Sequence, residues 1–83
     1  MTLQVNVLFF ASMADRTGTS RWASTLPSSA TIEDVKQMVI ETFPHSAELL
    51  SICHVAVNQE YVKGNPVLQP LDEIAFFPPV SGG

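Results

Sequence analysis

Positive charge is scarce in this chain. Of 83 residues only four are Lys or Arg (Arg16, Arg21, Lys36 and Lys63), against eight Asp or Glu, and the net charge is −4. Four scattered cations make no basic stripe, so nucleic acid is disfavoured as a partner. Charge of either sign is sparse, at 14% against a usual share of about 25%. The hydrophobic share of 46% is that of a folded domain. Part of the surface should therefore be apolar, and large apolar patches usually meet a partner. Cysteine is nearly absent. Cys53 stands alone, which excludes an internal disulfide and any multi-cysteine metal site. Long hydrophobic runs are missing too. The stretch from Val7 to Ala11 is far too short to span a bilayer, so no membrane role is expected. The first residues lack the basic start, apolar stretch and cleavage site of a signal peptide, and a cytoplasmic location is expected.

The length suits one small domain, without repeats or an internal linker. Such a chain buries only roughly 60% of its unfolded surface, so it has little stability to spare. Leu3 to Phe10 begins as apolar/polar alternation and reads as a strand, with Leu3, Val5, Val7 and Phe9 on one face. Leu8 and Phe10 fall on the other. Ala11 to Ser20 carries Asp15, Thr17, Gly18 and Thr19, which is turn chemistry. Arg21 to Leu26 reads as a second strand, forming a long-looped hairpin with the first. Thr31 with Asp34 resembles a helix N-cap, and Glu33 and Asp34 suit the helix dipole. Ile32, Val35, Val39 and Phe43 recur at helical spacing, which predicts a helix over 31–43. Ser46 to Ser51 suggests one more helical turn. Strands are predicted over 52–58, 61–62 and 71–77, with a tight turn at Asn58-Gln59. One amphipathic helix cannot cover both faces of a sheet, so the second face is left to solvent or a partner.

The interior of the chain offers little chemistry. Cys53 sits in an apolar strand without flanking cations to lower its pKa, which favours a structural role. His54 is on the opposite strand face from Cys53, so the two form no nucleophile–base pair. His45 follows Pro44 in a loop, and neither His has a partner at metal-ligand spacing. Asp72 and Glu73 point to opposite faces, a poor geometry for paired carboxylates. Gly18 and Gly64 are isolated turn glycines rather than a phosphate-binding loop. No metal site and no tightly bound cofactor are expected.

The terminus differs. The chain ends Pro78-Pro79-Val80-Ser81-Gly82-Gly83. By composition alone a final Gly-Gly has a chance of about half a percent. The prolines favour a stiff, extended exit, and the glycines strip away side-chain bulk, so bare backbone can enter a narrow channel. Extended, the stretch from Pro78 to Gly83 reaches roughly 20 Å. Its one distinctive group is the α-carboxylate of Gly83, ionised at neutral pH with a reference pKa of about 3.5. Such an anion resists nucleophiles until it is activated, for example as an acyl-adenylate. It can then accept sulfur, becoming a thiocarboxylate, or an amine, becoming an amide. The expected organisation is a domain over 1–77 and an extended tail over 78–83.

Ala75-Phe76-Phe77-Pro78-Pro79-Val80-Ser81-Gly82-Gly83 resembles the C-terminal signature of the MoaD-like sulfur carriers, the small subunits of molybdopterin synthase. Val7-Leu8-Phe9-Phe10-Ala11 and Ala56-Val57-Asn58-Gln59 are also similar to that family, and the resemblance spans nearly the whole chain. The Phe-Phe-Pro-Pro run before Gly-Gly distinguishes it from the thiamine-pathway carriers. The resemblance implies an α+β, ubiquitin-like β-grasp fold, a mixed sheet with one main helix. It also implies a mechanism. An ATP-dependent adenylating enzyme activates Gly83, a sulfurtransferase system converts it to the thiocarboxylate, and Gly82 gives the tip access to the large synthase subunit. Sulfur then passes to a cyclic pyranopterin precursor, with two small subunits around a large-subunit dimer, a heterotetramer. The catalytic side chains belong to the partner.

By position, Phe10, Tyr61 and Phe77 correspond to the family's apolar docking surface, with Tyr61 replacing an aliphatic residue. Pro78, Pro79, Val80 and Ser81 correspond to the inserted tail. Two loops depart from the family pattern, at Ala14-Asp15-Arg16-Thr17-Gly18 and at Pro70-Leu71-Asp72. Three other readings compete: a sulfur carrier for thiamine or tRNA thiolation, a ubiquitin-like protein modifier joined through Gly83, and a binding module with an inert tail.

Overall fold

The computed structural model describes residues 1–79; the expectations for Val80, Ser81, Gly82 and Gly83 lie outside the described residues. The first strand, β1 (Thr2–Phe9), alternates as its sequence does, with Leu3, Val5, Val7 and Phe9 all buried. It pairs antiparallel with β2 (Arg21–Pro27), setting Leu3 opposite Leu26 and Val7 opposite Trp22. On its other side β1 pairs in parallel with β5 (Glu73–Phe77), which brings Phe9 beside Phe76. Next to β5 lies antiparallel β3 (His54–Val57), and a two-residue strand, β4 (Glu60–Tyr61), closes the edge. The order across the mixed sheet is β2-β1-β5-β3-β4.

One face of this sheet carries the core. The main helix, α2 (Ile32–Thr42), lays Ile32, Val35 and Val39 against it. The helix starts where Asp34 Oδ2 accepts from the Thr31 N–H at 2.8 Å and the Thr31 hydroxyl at 3.1 Å. This satisfies a donor that the first turn would otherwise leave open. The Phe9 ring sits among three others, with centroids 6.5 Å from Trp22, 5.7 Å from Phe43 and 6.2 Å from Phe76. A five-stranded mixed sheet with β1 and β5 parallel at its centre and one main helix across one face is the ubiquitin-like β-grasp arrangement.

Four local expectations change. Ala11 to Ser20 is not simply a loop; it holds a short helix, α1 (Ser12–Thr17). Met13 anchors it as a fully buried side chain, and Gly18 ends it in the left-handed conformation at φ 79°. Turn-forming residues hid a helix that tertiary burial of Met13 stabilises. The predicted extra turn over 46–51 is a 3₁₀ turn at Pro44–Ser46 followed by α3 (Ala47–Leu50). Strand β3 starts later than Ile52, because the Ile52 and Cys53 N–H groups donate to the carbonyls of Leu49 and Leu50. Likewise β5 starts after Leu71, whose φ of 67° places it in a turn. No helix among the described residues is long and apolar enough to cross a membrane.

A candidate docking face at the root of the tail

The sheet face away from α2 gathers an aromatic cluster at one end. The pairing register makes the row: Leu8 beside Ala75, Ala75 beside Ala56, and Ala56 beside Tyr61. One row further along, Phe77 pairs with His54 and stacks on Phe10, with centroids 4.6 Å apart and rings 13° from parallel. Tyr61 leans on Phe77 at 6.0 Å and meets His54 edge-on at 6.4 Å. Period-two alternation produces this division. Phe76 faces the core and is fully buried, while Phe77 is half-buried on the open side. Phe10 is 41% exposed and Tyr61 76% exposed. Exposed aromatics in contact with one another are costly to leave in water and are the residue types enriched at interfaces.

The structure therefore brings together Phe10, Tyr61 and Phe77, three residues far apart in sequence. It places Pro78, half-buried, and Pro79, exposed, directly after the cluster. Alternation puts Leu8 on the same face as Phe10, as expected, but sequence reading did not join His54 to the cluster. For His54 the available signal was strand phase, since it sits two residues from Ala56 in β3.

A polar clamp aims β5 toward this cluster. Asn58 Nδ2 donates to Asp72 Oδ1 at 2.9 Å, and the Gln69 N–H donates to Asp72 Oδ2 at 2.8 Å. In return the Glu73 N–H donates to Asn58 Oδ1 at 3.0 Å, and the Asn58 N–H to the Glu73 carbonyl at 2.8 Å. Asp72 is thus buried with its acceptors used, and the β3–β4 hairpin is tied to the start of β5. Nothing in the local sequence announces a contact between Asn58 and Asp72.

The described interior holds no reactive arrangement. Cys53 is half-buried, and burial pushes its thiol up to about 11, with Lys36 pulling weakly the other way. At neutral pH it is a protonated thiol, not a nucleophile. Among the described residues no group of three or more His, Cys, Asp or Glu could hold a metal ion.

A β-grasp domain whose open sheet face carries an aromatic cluster at the root of its C-terminal segment is a ubiquitin-like protein by architecture. The chain belongs to the ThiS family, which it matches over residues 7–83. It is 39% identical to the human molybdopterin synthase sulfur carrier subunit, covering 96% of this chain and 94% of that one. Against the sulfur carrier subunit of Arabidopsis thaliana the identity is 32%, over 99% of this chain and 85% of the other. In structure it is similar to SAMP1 from Haloferax volcanii, with a TM-score of 0.86 at 24% identity, covering 96% and 99% of the two chains. It is also similar to a chain in the complex of subunits 1 and 2 of the molybdopterin-converting factor from Helicobacter pylori, with a TM-score of 0.73 at 23% identity, covering 98% and 100%.

Proposed function

We propose that this chain is the sulfur-carrying small subunit of a molybdopterin synthase, with the carboxylate of Gly83 as its reactive group. The observation that carries the reading is whole-length similarity, at 31–39% identity, to proteins of that name. The aromatic face supports it, because the face lies at the root of the tail that would enter a partner.

The chemistry follows from the carboxylate. A carboxylate oxygen attacks the α-phosphorus of ATP on an adenylating enzyme, and pyrophosphate leaves. A sulfur nucleophile supplied by a sulfurtransferase then displaces AMP, and the carbonyl carbon exchanges its C–O bond to AMP for a C–S bond. The resulting thiocarboxylate is a better nucleophile than the carboxylate. Within the large subunit its sulfur displaces an oxygen substituent from a carbon of the cyclic pyranopterin precursor, so that a C–S bond forms as a C–O bond breaks and the oxygen leaves protonated or on phosphate. Water then cleaves the acyl–sulfur bond and returns the carboxylate. A dithiolene needs two sulfurs, hence two charged small subunits per product, as a heterotetramer provides. The chain itself supplies the nucleophile, the stiff exit at Pro78-Pro79 and the docking face; acids and bases come from the partner. A cytoplasmic location fits this ATP-dependent route.

Intact mass after incubation with the cognate adenylating enzyme, ATP and a sulfur donor tests the reading. The expected gain matches replacement of one oxygen by sulfur and is absent in a chain lacking Gly83. No gain with an enzyme proven active on another carrier would remove the carrier reading.

A further inference from the structure

Beside the aromatic face the sheet edge is notched. Strand β4 ends after two residues; the Val62 N–H still reaches the Val55 carbonyl at 3.1 Å, and the chain then turns away through Lys63 and Gly64, where φ is 80°. The space left is a groove of about 510 Å³ between the edge strands and α2. Ile32, Val55 and Val62 give it apolar walls, and Lys36 and Lys63 stand in its lining. These are two of the chain's four cations, in a protein of net charge −4. Among the described residues the single ion pair within reach is a 3.8 Å contact between Lys36 and the exposed Glu33, so neither lysine is firmly neutralised. His54 and Tyr61 line the groove and also belong to the aromatic cluster, so the two surfaces are continuous.

We propose that this notch is a second docking point, occupied by an acidic segment of the large synthase subunit when that subunit covers the aromatic face. An extended stretch with two carboxylates meets Lys36 and Lys63, while an apolar side chain between them enters against Ile32, Val55 and Val62. The positive sign selects the occupant, since the remainder of the chain is acidic and repels such a segment. The protonated, half-buried thiol of Cys53 in the lining suits a binding surface rather than a reacting one. The inference rests on the proposed function for the identity of the partner.

The test measures affinity for the purified cognate large subunit at several salt concentrations. Three chains are compared with the unaltered one. In Lys36→Gln/Lys63→Gln the notch loses its charge. Ser28→Glu/Ser29→Glu makes the same change in net charge, from −4 to −6, in exposed residues beyond the opposite edge strand. Phe77→Ala damages the aromatic face. The lysine pair is expected to weaken binding at least tenfold and to flatten its salt dependence, while the serine pair binds within about twofold of the unaltered chain. Melting curves confirm that both remain folded, as both lysines reach solvent. Equal binding by the lysine pair, or equal weakening by the serine pair, overturns the notch. If Phe77→Ala still weakens binding in that case, the functional reading stands without it. No binding by the unaltered chain overturns both.

Discussion

At the residue scale, adjacent phenylalanines have opposite duties. Phe76 is fully buried against Phe9, and Phe77 stacks on Phe10 in the open. Phe76→Ala removes a core ring and is expected to cost about 3–5 kcal/mol, a large part of a small domain's stability. Phe77→Ala is expected to lower the melting temperature far less, yet weaken large-subunit binding at least tenfold. Denaturant melts and titration calorimetry on both variants check this; equal destabilisation would mean that Phe77 is core. Cys53 gives a pH prediction. Its folded-state pKa of about 11 lies above the ordinary thiol value of 9.0, so the unfolded chain releases the proton first. The folded state's advantage is intact below pH 9 and declines as pH rises from 9 to 11. Alkylation of the native thiol should be slow at neutral pH and quicken across that window. The face of Phe10 was legible from alternation; for Phe76 and Phe77 alternation gave opposite faces, and the family resemblance said which one points outward. The Asn58–Asp72 clamp was not, because a hydrogen bond between residues fourteen apart leaves no periodic trace.

At the element scale, the strands and α2 were readable because each has one apolar face at a regular period, and each differs from expectation only at its ends. The ends follow hydrogen bonds that the pattern does not encode, such as the Asp72 bond that opens β5 late. Helix α1 was hidden because its sequence is turn-like and Met13 is its one fully buried side chain. Met13→Ala should therefore cost about 2–5 kcal/mol and preferentially raise hydrogen exchange in 12–17. The β3–β4 hairpin carries the opposite opportunity. Asn58 and Gln59 both have positive φ, 52° and 72°, as a two-residue hairpin turn demands. Asn tolerates that region and Gln does not. Gln59→Gly is expected to stabilise by about 0.5–1 kcal/mol, raising the melting temperature by roughly 2–8 °C. Calorimetry reads this directly, and a fall would mean that the Gln59 side chain contributes contacts worth more than its strain.

At the scale of the whole molecule, element order was legible but sheet order was not. No residue pattern states that the first and last strands lie in parallel at the centre; that follows from closing one core under one helix. The closure has a functional consequence. With β5 in the middle of the sheet, its last residue leaves from the interior of a fixed platform beside Phe10 and Tyr61, not from a loose edge. Among the described residues, every strand is paired and every core residue lies before Phe77. Deleting Gly82-Gly83 is therefore expected to leave the melting temperature within about 1 °C of the unaltered chain, because the paired strands and the core described above are left intact. The same deletion should abolish the mass gain on incubation with the adenylating enzyme, ATP and a sulfur donor, and abolish sulfur transfer in the assembled synthase. Binding to the large subunit should persist, weakened only by the missing tip, since the aromatic cluster stays in place. This separation of folding, docking and chemistry distinguishes the competing readings. A protein modifier would lose isopeptide-linked adducts in cells on the same deletion, without a synthase defect. A binding module with an inert tail would lose nothing. A large drop in melting temperature would contradict the division itself, because the tail would then be part of what holds the sheet together.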